Sequence, residues 1–201
     1  MERIVRDYGI RGFNFTDDNM FVNMNHAYRL FEEIARSELG LRIGKLHIRA
    51  DTIARMDKDF LELLVKAGVE RLTVGVESGN QRILDLIDKG LTPEKVLEAS
   101  RKIADYPITP VYLFMMGLPT ETPAEMRDSV ELARRLLREN PRASKSFNIY
   151  TPYPGTQLYS LAKEMGLGEP VRLEDWSPLN YRHVDRESPW ISKETKRLVE
   201  A

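Results

Sequence analysis

Apolar positions along this chain change period in a regular way. Short β-branched or aromatic runs alternate with longer stretches in which apolar residues recur every three or four positions, the signatures of strand and helix. The opening MERIVRDYGIRG reads as the tail of a helix closed by Gly9 or Gly12, so Met1 already lies inside an element, an unusual start for a domain. Phe13-Asn14-Phe15 is a strand ending in Thr16-Asp17-Asp18-Asn19, and Phe21, Met24, Ala27, Leu30, Phe31 and Ile34 keep helical spacing as far as Ser37. Lys45 to Arg49 is the next strand, with Arg49 and Asp51 at its end. A helix capped by Asp57 then buries Phe60, Leu61, Leu64 and Val65 and stops at Gly68.

Leu72, Thr73, Val74 and Val76 form a strand of the kind buried on both faces of a parallel sheet, with Glu77 and Ser78 at its carboxyl end. Helices follow from Gln81 to Asp88, broken at Lys89-Gly90, and from Thr92-Pro93 onward. Pro110 to Met116 is the fourth strand and runs into Gly117-Leu118-Pro119. Thr122-Pro123-Ala124-Glu125 is a capping box with proline at the first helical position, opening a helix that ends before Asn140-Pro141. Ser146 to Tyr150 is the fifth strand, and a helix from Gln157 to Met165 stops at Gly166. Beyond it regular signals thin out until a short charged helix over Ser192 to Glu200.

Strand and helix thus alternate five times at the spacing of βαβ units, and right-handed crossovers wind such units into a barrel or an open sheet. A full eight-stranded barrel takes about 250 residues. The expected fold in 201 residues is therefore α/β, a partial (β/α) TIM-like barrel of about five parallel strands alternating with helices. Residues 1–166 would form it and 167–201 a C-terminal extension.

Composition narrows the chemistry. With 42% hydrophobic and 30% charged residues and a net charge of -1, the chain offers no electrostatic argument for nucleic acid or an anionic membrane. The apolar run Val111 to Leu118 is too short to span a bilayer, and no leader precedes it, so a cytoplasmic location is expected. Cysteine is absent, which excludes thiolate ligands and a cysteine nucleophile within these residues. His26, His47 and His183 show no ligand spacing, and no metal-binding residues are assigned.

In β/α folds ligands sit at the carboxyl ends of strands. Those ends here are Asp17-Asp18-Asn19, Arg49 with Asp51, Glu77-Ser78, the Met115-Met116-Gly117-Leu118 turn, and Tyr150 through Thr156 with Pro152 and Tyr153. Each has a structural reading beside the functional one. Asp17 and Asp18 suit a helix start, Glu77 a cap or turn, Met115 and Met116 core filling, and Tyr153 with its prolines a fixed turn. Taken together, the acceptors, the cations Arg49 and Lys89 and apolar residues such as Leu113, Met115 and Leu118 would suit a zwitterionic, nucleoside-like ligand. No Gly-rich phosphate loop is present.

The segments FNFTDDNMF (13–21), IRADTI (48–53), LTVGVESGNQRILDLIDKGLT (72–92), FMMGLPTET (114–122) and YTPYPGTQLY (150–159) resemble, in order and spacing, the later part of the radical S-adenosylmethionine (SAM) domain. The resemblance is to its cobalamin-associated, oxidative ring-cyclase-like class in particular. It implies a SAM site in which Asp17, Asp18 and Asn19 face the methionyl amino group and Arg49 its carboxylate. Glu77 and Ser78 would approach the ribose and amino side, with Lys89 close by. Met115, Met116, Gly117 and Leu118 would line the adenine, and Tyr150, Pro152 and Tyr153 the substrate side.

The family's cysteine triad, C-x3-C-x2-C, belongs after a strand that would precede residue 1. The resemblance therefore implies that the 4Fe-4S cluster, and cobalamin where the class uses it, are held only by a longer parent, and no catalytic residue is assigned here. Two readings follow. One is the C-terminal portion of a radical SAM enzyme, whose partner is the missing N-terminal segment with the triad. The other is a non-catalytic binding or assembly module derived from that fold. Self-association through an exposed strand edge is the remaining partner expectation. A metal-independent aldolase-like half-barrel would want a Schiff-base lysine on a strand, and Lys45 and Lys145 stand at strand starts.

Overall fold

A computed structural model of the chain describes residues 1–168, 170–176 and 188–191. α1 (Glu2–Tyr8) is closed by Gly9 in the left-handed conformation, as the opening residues predict. β1 (Gly12–Asn14) and a 3-10 turn (Met20–Val22) precede α2 (Met24–Arg36). Then come β2 (Arg42–Lys45), β3 (His47–Ile48), α3 (Ala50–Arg55), α4 (Lys58–Lys66), β4 (Arg71–Glu77), α5 (Gln81–Leu86), α6 (Pro93–Ala104), β5 (Thr109–Met116), α7 (Pro123–Glu139), β6 (Ser144–Ile149) and α8 (Gln157–Glu164). A 3-10 turn, Leu173–Trp176, follows. The expected helix at 192–200 lies outside the described residues.

The strands are ordered β1-β2 in one sheet and β3-β4-β5-β6 in another, and β1 with β2 and β3 with β4 pair in parallel. The fold is α/β, with the strand–helix succession of a partial (β/α) TIM-like barrel.

The expected single strand Lys45 to Arg49 is corrected to two strands. The Ile43 amide donates to the Gly68 carbonyl and the Ile43 carbonyl accepts from the Glu70 amide, so pairing begins at Arg42, earlier than the side-chain pattern indicates. The register of β1 on β2 slips between Phe13 and Asn14, an irregularity of the kind that turns a strand. Leu46 belongs to neither strand, although its carbonyl accepts from the Thr73 amide. Arg49 lies past the strand and serves as N-cap residue of α3. That helix has six residues, too short to show a period in the sequence.

The chain packs as two compact units. The first comprises residues 1–76, 91–113 and 134–145; the second comprises 77–90, 114–133 and the described residues from 146 on. In the first unit Phe21 stacks on Phe31, and Phe60 meets both edge-on, closing an aromatic cluster under α2 and α4. Ile43, Leu46, Leu72 and Val74 are fully buried in the same unit. In the second unit Ile83, Leu118 and Tyr150 form the buried centre, with Leu86, Ile87, Met115, Leu158 and Trp190 packed against them. No helix among the described residues is long and apolar enough to cross a membrane.

Candidate functional site

β4 ends on Glu77, a non-glycine residue held at φ 69°. Positive φ in a side-chain-bearing residue costs roughly 1–3 kcal/mol and persists only where surroundings impose it, a condition that clusters at ligand sites. The Glu77 carboxylate is held by Lys89, whose Nζ donates to Glu77 Oε1 at 2.8 Å, with both side chains about four-fifths covered. Ser78 faces the other way. It is fully buried, its hydroxyl accepts from the Asn80 amide and pairs with the Ser129 hydroxyl at 3.2 Å, and Ser129 also accepts from the Gly79 amide. Glu77 is thus offered toward the strand end, whereas Ser78 is committed to holding the start of α5 on α7.

β5 ends in the Met116-Gly117-Leu118 turn. Met116 and Leu118 are buried, and Met115, on the alternate face, packs against the Ile83, Leu118 and Tyr150 cluster. Gly117 has φ 75°, and a Cβ there would lie 2.8 Å from Ile191 Cδ1. The turn is closed by Glu121, whose Oε2 accepts from the amides of Gly117 at 2.7 Å and Leu118 at 3.1 Å. Its Oε1 is buried without a hydrogen bond. Burial pushes the Glu121 carboxyl up to about 7, against the pull of those two amides.

Next to it, Arg82 grips both oxygens of Glu125 and the Thr120 carbonyl. The guanidinium holds the Glu125 carboxyl down at about 2. Trp190 reaches the same turn: its indole Nε1–H donates to the Gly117 carbonyl at 2.8 Å, and its ring lies 6.4 Å from that of Tyr150.

At the end of β6, Tyr150 is buried, its amide donates to the Met116 carbonyl, and burial pushes its hydroxyl up to about 12. Pro152 is buried and Tyr153 is 62% exposed. Among the sequence-derived site residues, the second unit therefore brings together Glu77 with Lys89, and Met115, Met116, Gly117 and Leu118 with Tyr150. Asp17, Asp18, Asn19 and Arg49 belong to the first unit. Asp17 and Asp18 are exposed, Asn19 caps the 3-10 turn through the Phe21 amide, and Arg49 donates to Asp51 at 3.0 Å.

Glu121, Arg82 and Trp190 were not legible as site residues. A signal existed for Glu121, since a carboxylate four positions after the glycine of a Gly-x-Pro turn can reach back to its amides. None existed for Arg82 or Trp190, whose partners lie far away in sequence. Among the described residues no group of three His, Cys, Asp or Glu is placed to hold a metal ion.

The family model described as Radical SAM superfamily matches residues 1–133. An uncharacterized methyltransferase of Pyrococcus horikoshii is 28% identical over 156 residues, covering 78% of this chain and 32% of its own length. An anaerobic magnesium-protoporphyrin IX monomethyl ester cyclase of Rubrivivax gelatinosus is 26% identical over 181 residues, 90% of this chain and 31% of that one. The radical SAM methyltransferase TsrM from Kitasatospora setae, solved with cobalamin and a 4Fe-4S cluster bound, has a TM-score of 0.65 at 23% identity. The likeness covers 82% of this chain and 32% of TsrM, and shows a shared fold. The chain thus spans 32% and 31% of the length of these two curated relatives. Since the family match runs through both the β1 and β5 segments, the chain belongs to the radical SAM superfamily.

Proposed function

We propose that this chain contributes the later, SAM- and substrate-facing part of a radical SAM barrel. The carrying observation is Glu77, strained at the end of β4 and paired with Lys89 in the unit that also holds the apolar β5 turn. A carboxylate and an ammonium beside a buried Met-Gly-Leu turn offer partners to hydroxyl, amino and carboxylate groups next to a flat apolar base. The donor set does not fit a 4Fe-4S cluster, because none of the 201 residues is cysteine. No radical step is therefore assigned to these residues, and the thiolates would come from outside them. The same lack of thiolates favours a second reading, a binding or assembly module that keeps the fold without the chemistry.

Calorimetric titration of the chain with SAM tests the first reading. Binding that is lost in Glu77→Gln supports it, and no binding of SAM overturns it. Co-expression with a polypeptide carrying a C-x3-C-x2-C segment separates the two readings. Iron loading together with release of 5'-deoxyadenosine from SAM supports the enzyme part; a complex without either supports the module.

A further inference from the structure

The first unit holds a cavity of about 380 Å³ whose lining, Leu113 apart, contains none of the sequence-derived site residues. Its wall is built from alternate positions along the strand segments: Lys45 and His47, Arg71 and Thr73, Val111 and Leu113. Side chains alternate between the faces of a strand, and the intervening Leu46, Leu72 and Tyr112 are buried. Asn14 of β1 completes the wall.

The charge in this wall is one-sided. It presents an ammonium, a guanidinium, an imidazole, an amide and a hydroxyl, and no lining residue is a carboxylate. Burial lowers the basicity of His47, and the Lys45 ammonium lowers it further, with Asp18 pulling the other way. Glu70, beside Arg71 in sequence, has its carboxylate taken by Arg42 at 2.6 and 3.3 Å. Cations that face one space without a counter-charge in its wall repel each other until an anion enters. The volume is in the range of small-molecule sites, and Val111 and Leu113 give it an apolar side.

We propose that this cavity binds a small organic anion, its carboxylate or phosphate held between Lys45 and Arg71 and its carbon skeleton against Val111 and Leu113. The inference concerns residues separate from the β4 and β5 ends, so it stands whether or not SAM binds there.

His47 is the reporter. The chain has three histidines, and His47→Gln identifies its imidazole signal in an NMR titration. Inorganic phosphate and succinate are the probes, with sodium chloride at matched ionic strength as control. The expected result is a saturable rise of the His47 pKa by roughly one unit, the effect of an opposite charge placed within a few ångströms. A larger rise with phosphate assigns the headgroup as phosphate, and a larger rise with succinate assigns a carboxylate. Lys45→Gln and Arg71→Gln, both at exposed side chains, should each weaken the apparent affinity about tenfold, the loss expected for one charged hydrogen bond. Shifts no larger than those in chloride, or shifts that survive both substitutions, overturn the proposal.

Discussion

Glu121 shows how one buried side chain can set the pH behaviour of a turn. Its folded pKa of about 7 lies above the ordinary 4.5, so between these values the folded chain keeps a proton that the unfolded chain has released. The stability from this group is full below pH 4.5 and is lost as pH rises through 7. The shift corresponds to roughly 3–3.5 kcal/mol as an upper bound. Glu121→Gln keeps the oxygen that accepts from Gly117 and Leu118 and removes the titration. Thermal melts from pH 5 to 8 should show the parent midpoint falling and the variant midpoint nearly flat; parallel profiles would contradict the assignment. Glu77 behaves differently, because its partner is a single ammonium at a partly open strand end. Glu77→Gln should cost less than about 1 kcal/mol in chemical denaturation, well short of the roughly 3–5 kcal/mol of a broken, fully buried pair. A loss in that higher range would make Glu77 a structural carboxylate. Sequence position alone singled out Glu77, Met115 to Leu118 and Tyr150, because strand ends are legible from periodicity. It could not show that Ser78 turns inward, since that depends on Ser129, fifty-one residues away.

Among the elements, the helix starts were the most legible, because a cap is a local bond. Asp57 accepts from the Phe60 amide, Thr92 from that of Lys95 and Thr156 from that of Tyr159, while Thr122 and Glu125 cap each other reciprocally. The break between β2 and β3 was not legible, because what decides it is pairing with Gly68, Glu70 and Thr73. The contact between the start of α5 and α7 was also hidden. A Cβ on Gly79 would lie 2.4 Å from the Asp128 carbonyl oxygen and 2.7 Å from Ser129 Cα, and backbone atoms cannot rotate away. Gly79→Ala must therefore push α5 off α7, at a cost of about 1–3 kcal/mol. The displacement would also strain the hydrogen bond that the Gly79 amide donates to Ser129 Oγ. Urea denaturation measures the first effect. An unchanged midpoint would mean that the two helices have room to part.

For the whole chain, the open question in the sheet is β1. It pairs with β2 on one side, and among the described residues no strand pairs with its other side, whereas β2 is bridged beyond β1 at Ile43 and Val69. The ladder is longer than the three residues of the strand, since the Arg42 amide donates to Arg11 and the Phe15 amide to Lys45. Natural edges are blunted by charge, proline, bulges or a covering segment, and Gly12-Phe13-Asn14 carries neither charge nor proline. The expectation that it has no bulge is corrected by the register slip between Phe13 and Asn14, which leaves Gly12 and Phe13 in regular pairing. We expect the chain to self-associate through this edge, with a sedimentation coefficient that rises with concentration. Gly12 is the place to test it. A Cβ there meets no atom within 4 Å, and its φ lies outside the range that disfavours side chains, so Gly12→Lys puts a charge on the edge without disturbing the pairing with β2. The variant should sediment as a monomer with an unchanged melting midpoint. A parent chain that is monomeric at every concentration would show that the edge is covered. A variant that associates as strongly as the parent would move the contact to another surface, the exposed Met1, Ile4, Tyr8 and Ile10 around α1 being the next apolar face to test.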